Sequence, residues 1–141
     1  MMRKFLLGIL FVPFLLTSCC KDKTLNITGE WSLISVETRA VTIGGEEVDV
    51  YIAFNADKSF QIYQMLGTGR YRLYTGTWSL LDGVLSGKYS DGTFWGSSYD
   101  VELESSNTIL KLTSKSAVAE VDTYKKTPIP DSVKSNALLP K

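Results

Sequence analysis

Between residues 30 and 126, short apolar segments alternate with turn-forming residues, and within each segment hydrophobic and polar positions alternate. The clearest example is the stretch 48–55, where Val48, Val50, Ile52 and Phe54 are separated by Asp49, Tyr51, Ala53 and Asn55. A period of two residues is typical of a β-strand with one buried face. No segment shows the 3.6-residue spacing of an amphipathic helix. The pattern therefore predicts an all-β domain.

Turn residues divide this domain into eight or nine predicted strands. Gly44-Gly45 and Asp82-Gly83 suit tight hairpins because these residues accept positive φ angles. The first strand is expected over 30–43, and the count depends on whether 70–81 is one bent strand or two. The other predicted strands span 48–55, 60–65, 84–89, 98–104, 108–114 and 117–126.

Consecutive strands at hairpin spacing favour an eight-stranded antiparallel up-and-down β-barrel. Closing the sheet pairs edge groups that would otherwise remain free, and a β-sandwich is the alternative. A chain of 141 residues is expected to hold one such domain, which we place at 29–126. Residues 127–141 carry three prolines and little periodicity, so they are predicted to form an irregular C-terminal tail.

The N-terminus has the features of a secretory signal. Arg3 and Lys4 precede an apolar run over 5–16, which is too short for a finished membrane span. The junction Leu16-Thr17-Ser18-Cys19 resembles the bacterial lipobox, which implies cleavage of a 1–18 signal peptide and attachment of diacylglycerol to Cys19. Residues 19–28 would then be a lipidated tether. This predicts a membrane-anchored protein of the cell envelope, at the outer membrane.

Composition excludes several kinds of chemistry. The chain has 15 basic and 15 acidic residues and no histidine. Scattered charge with a net value of zero offers no footprint for nucleic acid. Without histidine, and with no cysteine in the domain, neither a metal site nor a catalytic residue set can be assembled. We therefore expect a non-enzymatic protein with no cofactor and no metal.

Four motifs in order carry a family resemblance. They are Gly29-Glu30-Trp31, the segment 51–57, Gly76-Thr77-Trp78 and the closing Thr123-Tyr124-Lys125-Lys126. Together with the lipobox, they resemble the short lipocalin-like lipoproteins of Gram-negative bacteria. The resemblance implies an eight-stranded barrel in which Gly29 and Trp31 open the first strand and Trp31 closes one end. Lys125 or Lys126 would lie over that ring in a cation–π contact.

An eight-stranded barrel is either filled by its own side chains or wide enough for one small ligand. If there is a cavity, six aromatic residues are candidates to line or cover it: Phe54, Phe60, Tyr71, Trp78, Trp95 and Tyr99. Under the alternative, they are simply core.

Phe94 and Trp95 lie in a glycine- and serine-rich loop. They are expected to cover the barrel mouth, to dock onto a partner, or to plug the open end from within.

Two functions follow. The first is a lipid-anchored binding protein for a small hydrophobic or amphipathic molecule. The alternative is a protein-interaction module with a solid barrel, such as a protease inhibitor or an accessory subunit of an outer-membrane assembly, with an envelope protein as its partner.

Overall fold

In a computed structural model, eight antiparallel strands follow one another in sequence order and close into a barrel. The structure describes residues 24–38, 48–67 and 69–139. The elements are β1 Gly29–Thr38, β2 Val48–Phe54, β3 Ser59–Leu66, β4 Arg72–Leu81, β5 Val84–Tyr89, β6 Tyr99–Glu104, β7 Ile109–Ser114, β8 Glu120–Lys126 and the helix α1 Asp131–Asn136. The predicted up-and-down barrel is confirmed, and the sandwich is not formed.

Some sequence predictions fall outside the described residues. These are the signal peptide, Cys19, and the hairpin at Gly44-Gly45, which would lie between β1 and β2. Among the residues that the structure describes, no helix has the length and apolar character needed to cross a membrane.

Hairpins set the register of the sheet where the sequence places turn residues. Asp82 and Gly83 have φ angles of 50° and 76°, and they join β4 to β5 so that Leu81 lies opposite Val84. This is the tight turn expected of an Asp-Gly pair. The segment whose strand count was open forms the single strand β4, which begins at Arg72.

One end of the barrel is filled by its own side chains, and we call it the closed end. The alternation along each strand sends large apolar groups inward there, where they pack into one cluster. The largest fully buried members are Trp31, Phe54, Phe60, Ile27, Leu85 and Leu110. Their burial is the main hydrophobic contribution to the stability of the fold.

The segment before β1 completes the closed end. Ile27 is fully buried, and its carbonyl oxygen accepts a hydrogen bond of 2.8 Å from the indole Nε1 of Trp31. Lys126 Nζ lies 5.4 Å from the centre of the Trp31 ring. Of the two lysines considered for this cation–π contact, Lys126 is therefore the one that makes it.

The predicted irregular tail is partly ordered, which corrects the sequence analysis. It contains α1, and Ile129 and Val133 are buried against Ala53 and Tyr63 on the outer face of β2 and β3. The prediction failed because a six-residue helix is too short to show periodicity. The tail also explains why β2 is buried on both faces near its end, where alternation predicted only one buried face.

A charged contact fixes the tail to the barrel wall. The Glu30 carboxylate accepts a hydrogen bond of 2.7 Å from the Ile129 backbone N–H and pairs with Lys134 Nζ at 2.7 Å. Burial opposes ionisation of Glu30, but the hydrogen bonds from Lys134 and Ile129 outweigh it, so the pKa of Glu30 lies below its usual value. Further along, the backbone of Leu138 pairs with Tyr71 and Leu73.

Candidate functional site

The half of the barrel opposite the closed end contains a cavity of about 1300 Å³ that opens to solvent. This is above the range of about 300–1,000 Å³ that is usual for small-molecule sites. Its apolar wall comes mainly from the inward-facing residues of four strands: Leu33, Val50, Ile52, Phe54, Ile62 and Leu112. Val48, Leu66 and Leu139 form an exposed apolar rim at the mouth.

The cavity wall is completed by the loop between β5 and β6. These two strands share only the pairs Val84–Asp100 and Leu85–Tyr99, which leaves the upper part of β5 unpaired by β6. The loop folds back along this part of β5, with Tyr89 N–H donating to the Thr93 carbonyl at 2.7 Å and Trp95 N–H to the Gly87 carbonyl at 2.9 Å. It therefore acts as a short substitute strand.

Trp95 faces the interior from this loop. Its ring lies over Gly87, where an added Cβ would be only 2.2 Å from an indole carbon. The ring centres of Phe60 and Tyr99 lie 5.1 and 6.1 Å away. The indole Nε1 is buried but has no hydrogen-bond partner among the described residues. Trp95 thus forms part of the cavity wall, while its buried indole N–H stays without a hydrogen-bond partner among the described residues.

Phe94 points the other way. Its side chain is 77% exposed, and Lys88 Nζ lies 5.6 Å from the ring centre. The two loop aromatics, which the sequence analysis treated together, therefore occupy opposite sides of the wall, as alternation along an extended segment requires.

The structure divides the six candidate lining residues into three groups. Phe54, Trp95 and Tyr99 line the cavity. Phe60 and Trp78 are buried in the packed core, and Trp78 Nε1 donates to the Ser59 carbonyl at 3.0 Å. Tyr71 does not line the cavity.

Tyr71 instead packs on the outer wall with the tail, and its hydroxyl donates a hydrogen bond to Asp49. It precedes β4 by one residue and lies seven residues before the inward-facing Trp78. An odd separation along an extended chain places two side chains on opposite faces, so Tyr71 and Trp78 could not both face inward without a bulge.

Sequence reasoning missed the polar side of the cavity. Glu120, Asp122 and Tyr124 alternate along β8 and all line the cavity. Burial and the negative charge of Glu120 raise the pKa of Asp122 to about 6. Burial, followed by the charge of Asp122, also raises the pKa of Tyr124. Glu120 and Asp122 each lie an even number of residues before Tyr124, so alternation places all three side chains on the same face of β8. This spacing was the sequence signal that could have identified the two acidic residues.

Within the described part of the chain, no group of three or more histidine, cysteine, aspartate or glutamate residues could hold a metal ion. The described residues that line the cavity offer apolar surface, three carboxylates, and the hydroxyl groups and rings of aromatic residues.

A closed antiparallel barrel with one packed end and one open hydrophobic end defines a cup-shaped β-barrel. The model of the lipocalin-like domain family matches residues 27–112, more than half of the chain. The chain therefore belongs to the lipocalin-like domain family.

Among solved structures, the chain resembles fatty-acid-binding protein 1 of Echinococcus granulosus. The identity is 15%, the TM-score is 0.42, and the match covers 72% of this chain and 98% of that one. A search of curated proteins found no match.

Proposed function

We propose that the protein is a non-enzymatic binding protein that holds a small hydrophobic or amphipathic molecule in the open half of its barrel. The observation that carries the proposal is the cavity of about 1300 Å³. Its wall is apolar along β2 and polar along β8. Such a site binds by excluding water from apolar surface, and a few polar groups then orient the ligand. Membership of the lipocalin-like domain family is consistent with this role.

Native mass spectrometry of protein purified from its own host tests this proposal. The expected result is an added small mass that denaturation releases. Val50→Trp should abolish the added mass, since Val50 lines the cavity and the larger ring would occupy it. Thr77→Trp is the matched control, because it places the same ring on the exposed outer face of β4. Absence of any bound mass, together with failure to bind apolar probes, would contradict the proposal.

We also propose that the protein is anchored in the cell envelope, at the outer membrane, by a lipid on Cys19. The support is the run of basic, apolar and small residues that ends at this cysteine. Mass spectrometry of the N-terminal peptide from the membrane fraction should show a chain that begins at Cys19 and carries diacylglycerol. Cys19→Ala should release the protein from that fraction, and Cys20→Ala should not.

A second candidate function is docking of an envelope protein through the β5–β6 loop. The supporting observation is that Phe94 leaves 77% of its surface exposed on the outer side of the wall. Phe94→Ser should then abolish crosslinking to the partner without changing the melting temperature. Unchanged crosslinking would count against this function while leaving ligand binding unaffected.

A further inference from the structure

Among the described residues, the charged side chains that line the cavity are all acidic. Three carboxylates lie on its lining, Asp91 at the loop and Glu120 and Asp122 on β8, whereas none of its described lining residues is basic. The Asp91 carboxylate accepts hydrogen bonds from the Thr93 side chain and backbone, which hold its pKa below the usual value. The mouth therefore carries negative charge under neutral conditions.

Among the residues that the structure describes, Asp122 has no partner for its charge. Among the described residues its carboxylate makes no hydrogen bond and no ion pair, and the neighbouring charge of Glu120 is repulsive. An unpaired and partly buried carboxylate costs free energy that an asparagine or an apolar residue would avoid. Groups held in this way are concentrated at binding and catalytic sites.

A second unpartnered group lies next to this carboxylate. Tyr124 is only 5% exposed, it lines the cavity, and its hydroxyl forms no hydrogen bond with the described residues. Because this hydroxyl is accessible from the cavity, a ligand there can supply its hydrogen-bond partner.

The aromatic residues around the carboxylates suit the same kind of ligand. Tyr89, Trp95 and Tyr99 line the cavity, and the rings of Trp95 and Tyr99 are 6.1 Å apart and nearly perpendicular. Aromatic faces carry negative electrostatic potential and attract organic cations. The polar side of the cavity thus combines carboxylates with aromatic faces.

We propose that the cavity binds an amphipathic organic cation, with its ammonium group beside Asp122 and Glu120 and its apolar part against Val50, Ile52 and Phe54. This inference rests on the proposed binding function and adds the charge of the ligand. A carboxylate ligand would instead meet the repulsion of the acidic side with no described basic residue to offset it. Glu120 and Asp122 both lie outside the residues 27–112 that the family model matches.

Three probes with the same ten-carbon chain test the inference: decylamine, decanol and decanoate, each below its micelle-forming concentration. Binding is measured by isothermal titration calorimetry, and a change in tryptophan fluorescence that is lost in Trp95→Phe reports entry into the cavity. We expect decylamine to bind about tenfold more tightly than decanol, the ratio that corresponds to about 1.4 kcal/mol, and decanoate to bind most weakly.

Asp122→Asn and Glu120→Gln should each reduce the ratio by which decylamine binds more tightly than decanol, because each substitution removes a negative charge that attracts only the ammonium group. Glu102→Gln is the control, because it removes an exposed carboxylate that points away from the cavity on β6. If decanol or decanoate binds as tightly as decylamine, the charge preference is wrong and hydrophobic binding stands. If decylamine still binds more tightly than decanol in both Asp122→Asn and Glu120→Gln, the placement of the ammonium group beside β8 is wrong. If none of the probes binds, the binding function itself fails.

Discussion

The indole ring of Trp95 occupies the space that a side chain at Gly87 would need. An added Cβ would lie 2.2 to 2.5 Å from three carbons of the ring, far inside van der Waals contact. The absence of a side chain on β5 therefore allows the β5–β6 loop to send a large aromatic group into the barrel. Gly87 and Trp95 together therefore build this part of the cavity wall.

Gly87→Ala should destabilise the protein, since the ring must shift to admit the new methyl group. Overpacking of this kind typically costs about 1–3 kcal/mol. Urea unfolding gives the free-energy change, and a red shift of tryptophan emission should accompany displacement of Trp95 toward solvent. Gly96→Ala is the control, because an added Cβ there meets nothing within 4 Å. Equal stability of the two variants would contradict this packing.

Removal of the indole N–H should have different effects at two tryptophans. Trp78→Phe breaks the hydrogen bond to the Ser59 carbonyl, whereas Trp95→Phe removes a buried donor that has no partner among the described residues. Trp78→Phe removes an existing hydrogen bond and leaves the Ser59 carbonyl without that donor. It should therefore lower the free energy of unfolding by about 1 kcal/mol more than Trp95→Phe, which removes a donor that forms no hydrogen bond with the described residues. We therefore expect Trp78→Phe to lower the free energy of unfolding by the larger amount. The comparison needs only matched urea titrations, and the reverse order would be inconsistent with these hydrogen bonds.

The stability of the protein should depend on pH through Asp122. Its pKa is about 6 in the folded state and near 3.8 when unfolded, so between these values the folded state binds more protons. The contribution to stability is therefore full below about pH 4 and is lost as the pH rises through about 6. Tyr99 and Tyr124, whose pKa values are also raised, remain protonated throughout this window.

Asp122→Asn should remove this dependence. We expect the variant to gain about 1 kcal/mol relative to the parent at pH 8 and almost nothing at pH 4, after allowance for solvent screening of a partly exposed group. Chemical denaturation at the two pH values measures the difference. A gain that is the same at both would show that desolvation of the charge is not its cause.

Glu30 should give a pH dependence of the opposite sign. Because its folded pKa is depressed, its contribution is present above about pH 4.5 and is lost as the pH falls through the folded pKa. Glu30→Gln should weaken attachment of the tail and cost about 1 kcal/mol. Faster hydrogen exchange at the Ile129 amide would show the local effect directly. Lys134→Met removes only the ion pair and should leave that amide more protected than Glu30→Gln does.

The barrel could be predicted from sequence because alternation and turn chemistry act locally. The pattern of β2 and the Asp82-Gly83 turn each specify their own geometry, and the observed strands follow them. The contact between Glu30 and Lys134 joins residues 104 positions apart, and nothing in either residue's local sequence indicates it.

The cavity was harder to predict than the fold, since the same inward aromatic positions suit a filled barrel and a hollow one. Trp78 and Phe60 lie wholly in the packed core, Phe54 belongs to that core and also lines the cavity, and Tyr99 lines the cavity, although all four lie in alternating strands. The difference depends on how far the strands splay and on where the β5–β6 loop folds. Asp122 was missed because an acidic residue in an alternating strand is normally assigned to the solvent face.

The buried position of Ile27 beneath Trp31 fixes where the polypeptide enters the barrel. Residues 24–27 therefore join the cup at its base. If Cys19 carries the proposed lipid, the anchored segment meets the barrel at its closed end, and the mouth lies at the other end. A molecule that enters the cavity would then pass through the end of the barrel opposite to the anchored segment.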